Sequence, residues 1–311
     1  MPELVVALLF AGAGVVLAAW ASHAVVGSST ALATRLGLSP FVVGLTLVAI
    51  GTDLPEIANS VVASYRGQGD INVGDSYGSV FVQIALAFGL LPIVGAPLVL
   101  RRRLPALQLG ISLVALGAGY WLLSDGDFGR LDAGLLIALF AAAMAVALRP
   151  SGEQHGAAAG GATARPIWRE LLVIAAGFAG LIGGAALLVD GVLRGAAALD
   201  APPLVVGFIG ASIGTSAPEL VIALTAARKG NAQLAAGDLL GASVADSTIS
   251  VALGPLLFPT AVTATATHEA ILVAGAGVSA ALVVVLIGRH NRVSGAALIG
   301  LALAGLAFIA R

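Results

Sequence analysis

Apolar runs of about 20 residues recur from one end of this chain to the other, and nothing else in it restricts the possible folds as strongly. In hydrocarbon, backbone N–H and C=O groups must be satisfied within the segment or within a closed barrel. These runs are too long, and too rich in Leu and Ala, for barrel strands of about 10 residues. Only 10% of the 311 residues are charged, where a soluble domain has about 25%. The pattern predicts an all-α polytopic membrane protein, with the lipid bilayer as its main partner. The chain has no cysteine, which excludes thiol chemistry, disulfides and Cys-ligated zinc. A net charge of −1 points to no nucleic-acid partner, and no obligatory protein partner is evident.

Ten spans are expected, at roughly 3–24, 40–65, 71–92, 105–123, 131–149, 169–189, 203–227, 233–254, 269–288 and 294–310. The first lacks a basic n-region and runs on into the fold, so it reads as a transmembrane helix rather than a cleaved signal. The connections are short except for "PSGEQHGAAAGGATARP", Pro150–Pro166, which reads as a flexible linker. It divides the chain into a first five-helix repeat (1–150), a linker (151–166) and a second five-helix repeat (167–311). With the N-terminus outside, eleven Lys and Arg fall on inner loops: Arg35, Arg101, Arg102, Arg103, Arg149, Arg165, Arg169, Arg228, Lys229, Arg289 and Arg292. Four stay outside: Arg66, Arg130, Arg194 and Arg311. That bias predicts a multi-pass protein of the cell membrane with both termini outside and the linker cytoplasmic.

Five spans per half would make the second half enter the membrane in the opposite direction to the first. At an offset of 163 residues, Gly44–Gln83 aligns without gaps on Gly207–Asp246. Eleven of the forty positions are identical: Gly44, Ile50, Gly51, Thr52, Pro55, Glu56, Ala63, Gly67, Gly74, Asp75 and Gly78. Shared composition readily matches Ala, Leu and Gly. It does not readily match G-T-x-x-P-E followed at a fixed distance by G-D-x-x-G. The expectation is an internal duplication of inverted topology, an architecture common among secondary transporters.

The polar residues of the apolar spans concentrate in these two copies. Thr52, Asp53, Glu56, Asn59 and Ser60 form one stripe; Ser212, Thr215, Ser216 and Glu219 form the other. Each glutamate follows a proline, Pro55 or Pro218, which removes an amide donor and frees carbonyls upstream, near Ala49–Gly51 and Ser212–Gly214. An acid at membrane depth is costly and is functional by default. The next spans add Ser79 and Gln83, matched by Ala242 and Asp246. Asp75 and Asp238 sit about two turns earlier and either line an approach to the centre or cap their helices. The candidate ligands are therefore all oxygens: Asp53, Glu56, Glu219 and Asp246, with Thr52, Thr215, Ser216, Ser79 and Gln83 around them. Hard cations such as Ca²⁺ and Na⁺ take such donors. None of the four histidines has a metal-ligand spacing, and transition metals would need them.

The paired GT-x-x-PE and G-[ND]-x-x-GS motifs, duplicated across ten spans, resemble those of the sodium/calcium exchangers of the cation/Ca²⁺ antiporter superfamily, in their prokaryotic form. The resemblance implies a secondary active antiporter, with no enzymatic activity and no cofactor. It would exchange Ca²⁺ or a related hard cation for Na⁺ by alternating access, a peripheral helix pair sliding past a four-helix diamond. H⁺ is the alternative driving ion and Mg²⁺ an alternative cargo. The resemblance also implies that Glu56 and Glu219 are the central ligands. Thr52, Thr215, Ser216, Ser79, Asp246 and carbonyls near Ala49 and Ser212 complete the set.

The departures from the family pattern are specific. Asp53 replaces a serine, Asp75 and Asp238 replace asparagines, Gln83 replaces an asparagine and Ala242 a serine. The centre is thus more acidic and poorer in hydroxyls than is usual. Two other classes stay in view. A cation channel could be lined by the same acids. An intramembrane aspartyl protease needs GxGD, where this chain has "NVGD" and "AAGD".

Overall fold

The computed structural model describes residues 2–95, 97–99, 103–148, 166–198 and 214–309. It is mostly helical. α1 is Pro2–Leu36. A bent pair follows, α2 (Pro40–Thr52) and α3 (Leu54–Tyr65), at 41° to each other. α4 is Gly69–Val94, α5 Arg103–Leu122 and α6 Arg130–Ala147. The second half holds α7 (Ile167–Ala198), α8 (Ala217–Arg228), α9 (Ala232–Leu257), α10 (Ala264–Ile287) and α11 (Arg292–Ile309). Among the described residues, seven helices are long and apolar enough to cross a membrane, eight with the bent pair, and Arg292–Phe308 is a shorter apolar helix. The linker 151–165 and the first part of the expected seventh span, 203–213, lie outside the described residues.

α1 runs well past the expected residue 24. Its polar end, "GSSTALATR", stays helical, with two threonine hydroxyls satisfied by the helix's own carbonyls. Thr30 donates to Val26 O at 2.7 Å and Thr34 to Thr30 O at 3.1 Å. The helix stops only at Gly37, at φ 65°, a conformation that glycine adopts without strain.

Two helices of each half share their bounds at the offset of 163. Adding 163 to the bounds of α3 gives those of α8, and adding it to those of α4 gives those of α9. The contacts correspond as well. A two-stranded sheet, β1 (Asp127–Phe128) with β2 (Thr260–Ala261), pairs Asp127 with Ala261. Shifting each partner by 163 toward the other half gives His290 and Leu98, which form a β-bridge of their own. Such reciprocal pairing is what a two-fold relation between halves produces.

α4 and α9 form the centre, with 78% and 83% of their apolar windows buried, against 22% for α1. Glycines set how closely the central helices approach. A Cβ on Gly237 would meet Phe41 O at 2.1 Å, and one on Gly241 would meet Leu45 O at 2.4 Å. The α2 and α9 backbones are therefore in direct contact. At the periphery α1 and α7 run antiparallel. Gly177 lies against Val25, Gly184 against Ala18 and Gly191 against Ala11. α1 is tied to the second half by Ser22 to Thr225 (2.8 Å), Asn231 to Thr30 (2.8 Å) and Lys229 to His23 O (3.0 Å).

Gly241→Ala should cost about 1–3 kcal/mol, the usual penalty for overfilling a tight contact, and lower the melting temperature in detergent. Gly110→Ala, where a Cβ meets nothing within 4 Å, should leave it unchanged. Equal melting temperatures for the two variants would contradict the close contact of α2 and α9.

Candidate functional site

The chain breaks at Asp53 (φ −73°, ψ −1°) and, 163 residues on, at Ser216 (φ −79°, ψ 6°). Both breaks precede a proline in the first turn of the next helix, where a missing amide costs nothing. Each break turns its glutamate into the bundle. Glu56 and Glu219 are fully buried, and none of their four oxygens has a hydrogen-bond partner. Asp53 is fully buried with both oxygens unpartnered. Glu219 reaches the side chains of Thr52 and Asp53. These contacts are close without hydrogen-bond geometry, so carboxyl faces carboxyl across the two halves.

Two further helical features bring in the remaining groups. α4 and α9 each widen into a π-helical turn, Val82–Ala87 and Asp246–Ser250. Such turns re-aim side chains and are frequent at functional sites. Here they bring the symmetry-matched Gln83 and Asp246 face to face, Gln83 Nε2 donating to Asp246 Oδ2 at 2.9 Å. Gln83 Oε1 and Asp246 Oδ1 are left free of hydrogen bonds. Ser79 Oγ and Thr215 Oγ1 are 3.5 Å apart. Thr52 donates to its own helix, to Val48 O at 3.1 Å and Ala49 O at 3.0 Å. Ala49 O also accepts the Asp53 amide at 2.9 Å. That carbonyl, expected to be open, is already engaged twice. Ser212 lies outside the described residues.

Asp75 and Asp238 behave differently despite their matched positions. Asp75 accepts from Thr215 Oγ1 at 2.9 Å and from Asn59 Nδ2 at 2.6 Å. It does not cap its helix but joins the two halves. At Asp238 the matching groups are Thr52, which donates elsewhere, and Ile222, which cannot donate. Both Asp238 oxygens are therefore buried without a partner. Asp53, Glu56, Glu219, Asp238 and Asp246 together contribute nine such oxygens. Among the described residues no Lys or Arg is buried to balance them. Nor, among the described residues, are any three acidic or histidine side chains grouped closely enough to hold a metal ion by themselves. An ion held here would need hydroxyl, amide and carbonyl oxygens as well.

Local pattern did not reveal Asp75 as the acceptor joining Thr215 to Asn59, because its partners lie 140 and 16 residues away. It also did not reveal a polar seam between α5 and α9. There Ser112 and Ser243 hydroxyls are 3.4 Å apart, near a buried, unpartnered Gln108. Gln108 in an otherwise apolar span was the available signal.

Helices that cross a membrane, broken at two matched prolines around buried acids, define a transporter of cations. The profile of the sodium/calcium exchanger protein family matches residues 6–149 and 169–310, and the chain belongs to that family. It is therefore a transporter rather than an enzyme, in a family of Na⁺ and Ca²⁺ exchangers that use no cofactor. The putative antiporter CaxA of Alkalimonas amylolytica is 29% identical, over 95% of this chain and 96% of its own. The inner membrane protein YrbG of Escherichia coli is 31% identical, over 79% of this chain and 78% of its own. The fold is similar to that of the sodium-calcium exchanger NCX_Mj soaked with Na⁺ and Sr²⁺. The TM-score is 0.83 at 25% identity, covering 98% of each chain.

Asp75→Ala should remove the carboxylate that accepts from the Thr215 hydroxyl and the Asn59 amide, costing about 1–3 kcal/mol. Asp75→Asn, after a flip of Asn59, keeps both bonds and should retain near-native thermal stability. If the two variants melt together, Asp75 does not join the halves.

Proposed function

We propose that the chain is a secondary active antiporter that exchanges Ca²⁺, or a related hard cation, for Na⁺ by alternating access. One observation carries this reading: nine buried carboxylate oxygens, contributed by both halves, have neither a hydrogen-bond donor nor a buried Lys or Arg among the described residues. Ionised carboxylates left like this are too costly in a low-dielectric interior. They persist only if cations or protons neutralise them, and exchange follows when movement requires that neutrality.

Glu56 and Glu219 are the central ligands in this reading, with Asp246 and Asp53 as further acids. Thr52, Thr215, Ser216, Ser79 and Gln83 supply the neutral oxygens. Ser212 completes the set through its carbonyl; Ala49 could join only if Thr52 turned its hydroxyl away. Thr215 suits an ion as an acceptor, since its hydrogen is committed to Asp75. Asp238 lies on the pathway, and Asp75 acts through Thr215. Ten helices in two inverted five-helix repeats, 1–150 and 167–311, surround the centre. The matched breaks, the reciprocal β-pairings and the Gln83–Asp246 contact support that arrangement. The bias of Lys and Arg supports external termini and a cytoplasmic linker over 151–166. Acids beyond the family pattern, Asp53 and Asp238, favour H⁺ as the second choice of driving ion.

Glu56→Gln and Glu219→Gln should each abolish cation-driven Ca²⁺ exchange in proteoliposomes; near-normal flux in either would sink the assignment. Asp53→Ser should keep transport alive while shifting ion preference or pH dependence. An unchanged selectivity and pH profile would remove Asp53 from the ligand set.

A further inference from the structure

A proline inside a helix leaves the carbonyl four residues earlier without its amide donor. α4 contains Pro92 and α9 contains Pro255, so Phe88 O and Val251 O are both left open. Both residues are fully buried, and a buried carbonyl needs a donor from elsewhere. The two carbonyls are matched at the offset of 163, yet the halves close them with different chemistry. Val251 O accepts from Asn72 Nδ2 at 2.8 Å, with Ser60 Oγ at 3.4 Å. The positions matching Asn72 and Ser60 in the second half are Ala235 and Ala223, whose side chains cannot donate. At Phe88 O the donor is instead His290 Nε2, at 2.7 Å.

His290 is held in place from several sides. Its Nδ1 is 2.9 Å from Ser294 Oγ. Its ring stacks on that of Phe88 at 4.4 Å between centroids and 13° between planes. Its backbone pairs with Leu98 in both directions, at 2.8 and 2.9 Å. Because a carbonyl only accepts, Nε2 carries the hydrogen. Burial pushes the imidazole pKa down, which favours the neutral ring with its hydrogen at Nε2.

Each closed carbonyl sits at the end of a π-helical turn, the one in α4 carrying Gln83 and the one in α9 carrying Asp246. A stretch with a widened turn on one side and a proline on the other has little of the regular hydrogen-bond ladder left to hold its angle. We propose that His290 is a positioning residue for the ion site. By closing the Phe88 carbonyl it fixes the broken stretch of α4, and so the Gln83 amide against Asp246. Asn72 does the same for α9 from the opposite half. This inference rests on the reading of Gln83 and Asp246 as part of the cation site.

The test is Ca²⁺ flux in proteoliposomes over a range of Ca²⁺ concentrations, for His290→Phe, His290→Gln, Ser294→Ala and Glu56→Gln. Phe keeps the stacked ring and removes the donor; Gln restores an amide donor at similar reach. His290→Phe should raise the half-saturating Ca²⁺ concentration about tenfold, the effect of one lost buried hydrogen bond, and His290→Gln should return it to within about twofold. Ser294→Ala frees the imidazole without removing the cap and should raise it about threefold. A merely structural role would lower the maximal rate through loss of active protein and leave half-saturation unchanged. If His290→Phe fails to fold, Ser294→Ala decides: a raised half-saturation supports the role and an unchanged one overturns it. Folded His290→Phe matching the parent, or His290→Gln as impaired as His290→Phe, also overturns it. Full activity in Glu56→Gln would instead refute the ion-site reading itself. Inactive Glu56→Gln beside normal His290→Phe and Ser294→Ala refutes the positioning role alone.

Discussion

Nine carboxylate oxygens without donors among the described residues, in a bundle interior where the described Lys and Arg do not reach, form a charge problem that these residues alone do not solve. Burying one ionised carboxylate without a partner costs several kcal/mol even after relaxation. Asp53, Glu56, Glu219 and Asp238 are buried in this way among the described residues, and Asp246 has only the Gln83 amide. The rest of the architecture can be read as what holds them there. The breaks at Asp53 and Ser216 turn the glutamates inward, the π-helical turns bring Gln83 to Asp246, and glycine contacts press α9 onto α2. On the proposed reading, cations supply the missing charge, and transport is the movement of a bundle that can rearrange only while neutral.

On the proposed reading, duplication explains the outline of the site but not its chemistry. Glu56 and Glu219 stand at matched positions, while their neighbours have diverged. Asp53 faces the position of Ser216, Gln83 that of Asp246, and Asp75 has two donors where Asp238 has none. The proline-opened carbonyls are closed by an amide in one half and an imidazole in the other. A two-fold scaffold with unlike side chains allows the two faces of the site to bind different ions, or to open at different cost.

Much of this was legible in the sequence because it depends on local physics. Apolar length specifies the helices. Proline and glycine beside a glutamate specify the break, and the matched G-T-x-x-P-E copies specify where the second break falls. What was not legible depends on partners far apart in the chain. α1 runs on to Leu36 with Thr30 and Thr34 satisfied on their own helix, where a hydropathy window stops near residue 24. Thr215 finds Asp75 in the other half, and Ala49 O is taken by Thr52 and the Asp53 amide. His290 lies in a loop with no ligand spacing. The signal that it mattered was elsewhere, in Pro92 four residues after Phe88 and in the alanines that replace Asn72 and Ser60.

The central claim is that the buried acids move cations only by exchange, never by open conduction. Ca²⁺ uptake into proteoliposomes of purified protein tests it directly, comparing vesicles loaded with Na⁺, vesicles with an imposed H⁺ gradient, and vesicles with no exchangeable cation inside. The account predicts uptake when a counter-cation can leave, with Na⁺ the leading candidate, and none when there is no exchangeable cation. Uptake at the same rate from vesicles lacking any counter-cation would contradict it and make the acids the lining of a channel.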